Sequence, residues 1–214
     1  MSNNNCDQIT LASLDEPSAC VQNPSGVKVV YTCPRKDIVS INAKRPATFT
    51  TLEDKVTIGA STLTGKAITC ATGKGFVRIY SAQDMGELKY VQQGEILGCR
   101  SFKASLEIYN PGFDRKSIGF MSLVNNQEQV IVVLLNNGEY HLLGDEERGA
   151  VLAAGNEMSS GKASTDNNGI NPVFEYGPAE PMIFWEGFDP KDETKGIPIL
   201  TEQTDDDEED NLGS

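Results

Sequence analysis

The feature that most constrains the fold is an unbroken apolar run that ends in a tight turn. Residues 130–135 read Val-Ile-Val-Val-Leu-Leu, and four of these six residues are β-branched. A run that is apolar on both alternating faces is typical of a strand buried on both sides. Asn137-Gly138 follows it and predicts a hairpin, because a type I′ turn needs positive φ at both central positions. The sequence therefore predicts a dry strand over 129–135 and a return strand over 139–144.

Other segments predict further strands. Residues 102–109 alternate between apolar and mostly polar positions, which indicates a strand with one solvent-facing side. Residues 66–70 and 76–80 are strand candidates joined by a glycine-containing turn, so they predict a second hairpin. The remaining strand candidates, rich in β-branched and aromatic residues, are 27–32, 37–41 and 173–176.

One short helix is predicted after the break at Pro111-Gly112. Asp114 is suited to cap its N-terminus, and Ile118, Met121 and Val124 follow at three-residue spacing on one side. The pattern as a whole predicts a mainly β fold: an antiparallel β-sandwich or barrel with one short flanking helix and long loops.

Composition divides the chain into three parts. Residues 1–26 are polar and contain Pro17 and Pro24, which predicts an N-terminal arm. Residues 27–189 hold the strand candidates and form the predicted β-rich domain. From residue 190 onward charge, proline and glycine increase and large apolar side chains become sparse, so 190–214 is predicted to be a disordered acidic tail.

The charge balance argues against two classes of binding protein. The chain has 18 Lys and Arg against 31 Asp and Glu, a net charge of −13. Without the seven acidic residues between 202 and 210 the balance is 18 against 24, or −6. Specific recognition of nucleic acid and binding to anionic membranes both need a basic face. The N-terminus lacks the pattern of a signal peptide, and no apolar run reaches the length of a bilayer span, so we expect a soluble protein.

No catalytic, cofactor-binding or metal-binding residue is predicted. The five cysteines, none of them spaced as Cys-x-x-Cys, are expected to be reduced thiols: Cys6, Cys20, Cys33, Cys70 and Cys99. His141 is the only histidine and is interpreted as an ordinary strand residue, since a triad or metal site would need partners that no motif supplies.

Two segments imitate a phosphate-binding loop. Gly59 to Gly65-Lys66 and Gly155 to Gly161-Lys162 each have five residues between the glycines, where the true loop has four. Alanine stands in both where a hydroxyl must hold magnesium, at Ala67 and Ala163. Both segments are therefore predicted to be turns.

Two features leave alternatives open. The cluster at 182–188, which contains Phe184 and Trp185, is interpreted either as the last strand of the core or as an anchor that docks onto a neighbouring subunit. The acidic run at 205–210 is a solid block without a turn residue, so it does not fit a calcium loop. It is either a solvated tail or a segment that binds a partner or repels DNA.

The order of features over 101–176 resembles the tail-tube-type structural proteins of tailed phages, including those of Bacteroidetes-infecting and crAss-like phages. The resemblance rests on the alternating strand that ends in Leu106-Glu107-Ile108-Tyr109-Asn110-Pro111-Gly112, the helix around Ile118, the strand 130–135, the hairpin at Asn136-Asn137-Gly138 and the small-residue stretch 161–169. It implies that 27–189 is a tail-tube-like domain.

The resemblance implies a virion structural protein without enzymatic activity or cofactor. Its subunits would form a ring, often a hexamer, in a tail tube or in the neck between portal and tail. The ring would contact neighbouring tail, neck or portal proteins and would let phage DNA pass without specific binding during ejection. It would be assembled in the host bacterial cytoplasm and have no membrane partner.

The dry strand supplies a physical argument for the ring, because such a strand is prone to aggregate unless it is central or paired. A sheet continued from one subunit to the next would cover it. The alternatives are a capsid decoration, minor head or fibre-associated structural protein, and an enzyme or small-ligand domain with an unfamiliar site.

Overall fold

The computed structural model describes residues 24–48, 51–59, 63–97, 99–163, 166–178 and 180–200. Within these ranges the chain is mainly β with one α-helix, as the sequence predicts, and its sheets do not close into a barrel. The strands, in chain order, are β1 (Val27–Pro34), β2 (Ile38–Ile41), β3 (Thr57–Ile58), β4 (Ile68–Cys70), β5 (Val77–Ile79), β6 (Glu87–Gln93), β7 (Ser101–Glu107), β8 (Asn110–Pro111), β9 (Gln129–Leu135), β10 (Tyr140–Leu143), β11 (Val151–Leu152), β12 (Glu157–Ser159), β13 (Gly169–Asn171), β14 (Val173–Tyr176) and β15 (Ile183–Phe184). The α-helix is α1 (Arg115–Val124), and two 3-10 turns span Arg35–Asp37 and Glu53–Lys55.

The strands form four sheets. The largest has the order β3-β15-β10-β9-β1-β5, and the next has the order β11-β14-β7-β6. Two smaller sheets have the orders β12-β13-β8 and β2-β4. The strand pairings are antiparallel except that of β15 with β3. Strand β9 lies inside the largest sheet, paired with β10 on one side and β1 on the other.

Two hydrophobic cores cover the two faces of the largest sheet. Along β9, Val130 and Val132 belong to one core, and Ile131 and Val133 belong to the other. The buried members of the first core are Tyr31, Cys33, Ile38, Ile41, Ala43, Ile58, Ala67, Ile68, Phe76, Val130, Val132, Leu142, Phe184, Phe188 and Ile197. Those of the second core are Val27, Val30, Ile79, Ala104, Leu106, Ile108, Val124, Ile131, Val133, Leu143, Ala150, Phe174 and Tyr176. The second core joins the two larger sheets as a sandwich, and the first joins the largest sheet to β2, β4 and the C-terminal segment.

This arrangement confirms the dry strand and removes the argument for a ring that rested on it. Residues Val130 to Val133 are fully buried, as the continuous apolar run predicts. They are covered by both cores and by two neighbouring strands of their own chain. The strand therefore needs no second subunit to protect it.

The hairpin between β9 and β10 forms where Asn137-Gly138 predicts it, with a different turn. Gly138 has a φ of +95°, but Asn137 keeps a negative φ, so the type I′ expectation is wrong. The Gly138 N–H donates to the Leu135 carbonyl at 3.1 Å, and the Leu135 N–H donates to the Glu139 carbonyl at 3.0 Å. The turn is thus a three-residue loop with glycine in the left-handed position, the next most common hairpin connection.

The predicted helix is present as α1. The Asp114 side chain caps it by accepting a hydrogen bond from the Ser117 N–H at 2.7 Å. Met121 and Val124 are buried as predicted, whereas Ile118 is 37% exposed. The strands predicted at 102–109, 139–144 and 173–176 correspond to β7, β10 and β14.

The hairpin predicted over 66–80 is wrong. Strand β4 pairs with β2, and β5 pairs with β1 in another sheet. Phe76, between them, is fully buried in the first core, and its backbone N–H donates to the Pro198 carbonyl at 2.7 Å. The second run is therefore held by the C-terminal segment and β1 instead of returning along the first.

The C-terminal boundary predicted at residue 190 is also corrected. Within residues 190–200, Ile197 is buried in the first core at 3% exposure and Ile199 packs against the same core. Ile199 bridges Phe76, and the Leu200 N–H donates to the Phe76 carbonyl at 2.9 Å. The rest of the predicted tail, 201–214, and residues 1–23 of the predicted arm lie outside the described residues.

Candidate functional site

The outer half of the β6–β7 hairpin is exposed to solvent. Its strands are paired in full register from Glu87 opposite Glu107 to Gln93 opposite Ser101. At its base, Leu88 and Tyr90 are half-buried against the second core. From Val91 onward each residue of β6 is exposed. The outer part of the hairpin therefore extends beyond the core that supports its base.

The tip of this hairpin presents two large aliphatic side chains. Ile96 is 72% exposed and Leu97 is 83% exposed, the two highest values among the described large apolar residues. Cys99 beside them is exposed too. Exposing adjacent apolar side chains to water is unfavourable, and contiguous exposed apolar surface commonly marks an interaction site.

A glycine fixes the shape of the tip. Gly94 has a φ of +91°, and a Cβ placed there would lie 2.7 Å from the Cys99 carbonyl oxygen. Any other residue would meet both the strain of the left-handed region and this close backbone approach. The loop is therefore tightly closed at its base, and it holds Ile96 and Leu97 at the outer end.

Strand β6 is also a free sheet edge. It ends the order β11-β14-β7-β6, so one side of its backbone has no strand neighbour among the described residues. Lys89 and Glu87 lie on it and form an ion pair at 2.5 Å. Charges of this kind discourage uncontrolled strand pairing along the inner half of the edge. The outer half, Val91 to Gln93, is uncharged.

A buried polar contact joins the hairpin to the central sheet. The Tyr90 hydroxyl lies 3.1 Å from His141 Nδ1, and His141 is a buried residue of β10. Burial lowers the pKa of His141 and raises that of Tyr90. His141 is therefore a strand histidine, as predicted, and it positions the base of the hairpin.

An apolar pocket opens on a different surface. Its floor contains Ile41, Ala43, Ile58, Leu142 and Met182, and its volume is 370 Å³. That volume equals the space of about 12 liquid water molecules at ~30 Å³ each. Its rim carries charges of both signs: Lys44, Arg45, Asp145, Glu146 and Glu147.

A larger open groove is acidic and amide-lined. It has a volume of 1020 Å³, and its polar lining comes mainly from Asp84, Glu87, Glu107, Tyr109, Asn137, Glu157, Asn167 and Asn171. No Lys, Arg or His belongs to this lining. Within the part of the chain that the structure describes, no three His, Cys, Asp or Glu side chains are grouped to hold a metal ion. The polar lining of the groove is thus made of carboxylate, amide and hydroxyl groups, and Lys89 beside it forms an ion pair with Glu87.

The other predicted features have structural places. Gly59, Gly155 and Gly161 all have positive φ, which agrees with turns at the loops that imitate phosphate sites. Phe184 is buried in the first core and stacks on Phe188 with ring centroids 4.0 Å apart, so the core alternative holds for it. Trp185 is partly buried against the same core.

The three cysteines that the structure describes lie in two places. Cys33 and Cys70 are neighbours at the first core, and Cys99 lies on the hairpin tip. Cys6 and Cys20 lie outside the described residues.

The hairpin tip was not predicted from the sequence, although a signal was present. Ile96-Leu97 is an apolar pair between Gly94 and Gly98, preceded by two glutamines. Glycine and polar neighbours indicate a loop, and a large apolar pair in a loop has no internal core to enter.

No helix within the described ranges is long and apolar enough to cross a bilayer. Comparison of the chain with protein-family models, with curated proteins and with solved structures finds no match.

Proposed function

We propose that the protein is a self-assembling structural subunit that forms a ring or tube in a phage tail or portal–tail neck and lines a channel for DNA. The observation that carries the self-assembly is the exposure of Ile96 and Leu97, at 72% and 83%, on a hairpin that extends beyond the second core. The phage setting rests on the resemblance over 101–176 and on the charge of the molecule.

The occupant proposed for the hairpin tip is the apolar pocket of a second copy. The pocket supplies an aliphatic floor for the two tip side chains, and burying each of them is worth about 1.5–3 kcal/mol. Charges of both signs are present on each surface: Glu95 and Arg100 flank the tip, and the pocket rim carries Lys44, which is paired with Glu146 at 3.7 Å, and Glu147.

Such a contact would propagate in one direction. Tip and pocket are different surfaces, so each subunit would use its tip on one neighbour and its pocket on the other. A head-to-tail contact of this kind closes into a ring when the rotation permits and otherwise continues as a helical filament. Rings and tubes are the two forms that the proposal requires.

The acidic groove suits a surface past which DNA moves. Glu87 and Glu107 lie directly opposite each other in the β6–β7 register, where Lys89 forms an ion pair with Glu87 and the Asn171 amide donates to Glu107 at 3.0 Å. Carboxylates repel the phosphate backbone and give it no counter-charge to bind. A channel lined in this way would let a duplex pass without holding it.

The first experiment compares the wild type with two matched variants. Leu97→Lys places a charge on the tip, and Leu123→Lys makes the same change on α1, where Leu123 is 55% exposed. Light scattering and negative-stain electron microscopy over a concentration series should show rings or tubes for the wild type and Leu123→Lys, and monomers for Leu97→Lys. Monomeric wild type at high concentration would contradict the proposal and favour a decoration or minor head protein.

A cross-linking experiment identifies the pocket as the partner surface. Glu147→Cys puts a thiol on the pocket rim, and a bifunctional maleimide should link it to the native Cys99 of the next subunit. We expect a ladder of covalent oligomers that disappears when Cys99→Ser is added. A ladder that persists without Cys99 would show that the tip does not dock in this pocket.

A further inference from the structure

Two cysteines that are far apart in sequence meet at the end of the central sheet. The Sγ atoms of Cys33 and Cys70 are 3.9 Å apart, although the residues are separated by 37 positions. Cys33 is fully buried in the first core, and Cys70, the last residue of β4, is partly buried. Cys70 can therefore be reached from solvent, and Cys33 can be reached only through Cys70 or by movement of the core.

Backbone contacts, and not the thiols themselves, hold this pair together. After Cys33 the chain leaves the largest sheet, passes through the 3-10 turn Arg35–Asp37 and enters β2. Cys70 lies opposite Ile38 in the β2–β4 pair, and the Ala71 N–H donates to the Asp37 carbonyl at 2.9 Å. The two thiols thus face each other across a turn that is already closed by hydrogen bonds.

We propose that Cys33 and Cys70 are a redox modification site that forms an intramolecular disulfide by exchange with a small-molecule disulfide such as oxidised glutathione. A disulfide needs an S–S distance of about 2.05 Å, so the two sulfur atoms must approach by roughly 2 Å. The ends of β1 and β4 are strand termini, where a shift of that size disturbs few ladder hydrogen bonds. The inference does not depend on the proposed assembly.

The exchange proceeds in two balanced steps. The Cys70 thiolate attacks one sulfur of glutathione disulfide, the S–S bond of glutathione breaks, and one glutathione thiolate leaves. Cys33 then loses its proton and attacks the Cys70 sulfur, which releases the second glutathione. The two protein thiols are oxidised by two electrons, and one molecule of glutathione disulfide is reduced to two thiols.

The order of attack follows from the surroundings of each thiol. The hydrogen bond between the two thiols lowers the pKa of Cys70 and raises that of Cys33. Burial and the Asp37 carboxylate act to raise the pKa of both thiols and Lys66 acts to lower that of Cys70, so that the pKa of Cys70 is lowered and that of Cys33 is raised. The more exposed thiol is therefore the one that is more readily ionised, as an attacking cysteine requires.

The test uses the full chain in glutathione buffers of stepped redox ratio. Non-reducing tryptic mapping should give one linked pair, peptide 29–35 with peptide 67–74, in which the two cysteines have lost two hydrogens. The link closes a long loop between two sheets, so Tm should rise by about 5–10 °C and return to its starting value with dithiothreitol. Cys99→Ser should still give the linked pair of peptides, because Cys99 lies on the hairpin tip and not beside Cys33 or Cys70.

Cys70→Ser should lose both the linked peptides and the Tm shift. Because Cys70 is only partly buried, this variant should keep the Tm of the reduced wild type, and Cys33→Ala provides a second variant at the buried partner. A persistent mixed disulfide of glutathione on Cys70, or a wild-type Tm that does not respond to oxidation, would overturn the inference.

Discussion

Strand β9 and the tip of the β6–β7 hairpin both carry large apolar side chains, but these side chains lie in opposite environments. Residues Val130 to Val133 are fully buried, with a hydrophobic core on each face and a paired strand on each side. Ile96 and Leu97 lie on a hairpin whose outer half has no core behind it. The difference shows that an apolar run is not in itself a docking surface, because what matters is whether the same chain supplies its cover.

The argument for self-assembly therefore rests on the exposed hairpin tip and no longer on strand β9. The dry strand suggested an interface because of its composition, and the structure accounts for it within one subunit. The exposed tip is short and lacks periodicity, yet it carries the two most exposed large apolar side chains among the described residues. Four predictions separate the two regions, in order of decreasing effect.

Truncating the two regions should have opposite consequences. Ile131→Ala in β9 removes buried methyl groups from the second core and should lower the free energy of unfolding by about 2–5 kcal/mol. Leu97→Ala should change it by less than about 0.5 kcal/mol, because the side chain is already in solvent. Urea unfolding at a concentration where the protein is monomeric measures both. A large loss from Leu97→Ala in the monomer would mean that the tip folds back on its own subunit.

The two hairpin turns should differ in their tolerance of alanine. Gly94 and Gly138 have nearly equal φ, +91° and +95°, but only Gly94 would place a Cβ 2.7 Å from a backbone oxygen. Gly138→Ala meets the strain of positive φ alone, about 1 kcal/mol, whereas Gly94→Ala should cost about 1–3 kcal/mol. Gly94→Ala should also weaken assembly, which light scattering would detect. Equal losses from both variants would contradict the tight closure at the base of the tip.

The hydrogen bond between Tyr90 of the hairpin and His141 of the largest sheet should contribute about 1 kcal/mol to the free energy of unfolding. Tyr90→Phe removes the hydroxyl that lies 3.1 Å from His141 Nδ1, and an intramolecular hydrogen bond typically contributes about 1 kcal/mol. Tyr80→Phe is the matched control, since Tyr80 is 56% exposed. Unfolding in urea measures both variants, and a Tyr90→Phe value equal to that of the control would show that the contact does not hold the hairpin.

The smallest effect expected is a dependence of stability on pH. Burial lowers the pKa of His141 below 6.5, the usual value for a histidine side chain, although Glu139 acts in the opposite direction. Below about pH 6.5 the unfolded chain binds a proton that the folded chain resists, so the contribution present above that pH is lost as pH falls towards the folded pKa. The free energy of unfolding should decrease over this interval in the wild type and remain flatter in His141→Gln. A free energy of unfolding that increases as the pH falls in the wild type would contradict this prediction.

Local patterns predicted much of the fold because their causes are local. The dry strand follows from its composition, the β9–β10 turn from Gly138, and the helix start from the Asp114 cap. Which strands pair with each other was harder to predict from the sequence. The sequence of residues 66–70 and 76–80 is typical of a hairpin. In the structure, however, Phe76 bonds to Pro198 and bridges Ile199, more than a hundred positions away.

The candidate site was harder to predict for the same reason. The exposure of Leu97 depends on where the cores end, and the meeting of Cys33 with Cys70 depends on the β2–β4 pair. The domain boundary predicted at residue 190 was wrong because the composition of the C-terminal segment does not reveal that Ile197 is buried in the first core.

The attachment of Leu200 to Phe76 has a consequence for the acidic run that follows it in the sequence. Seven acidic residues lie between 202 and 210, so the most acidic stretch of the sequence begins two residues after a position that backbone hydrogen bonds attach to the first core.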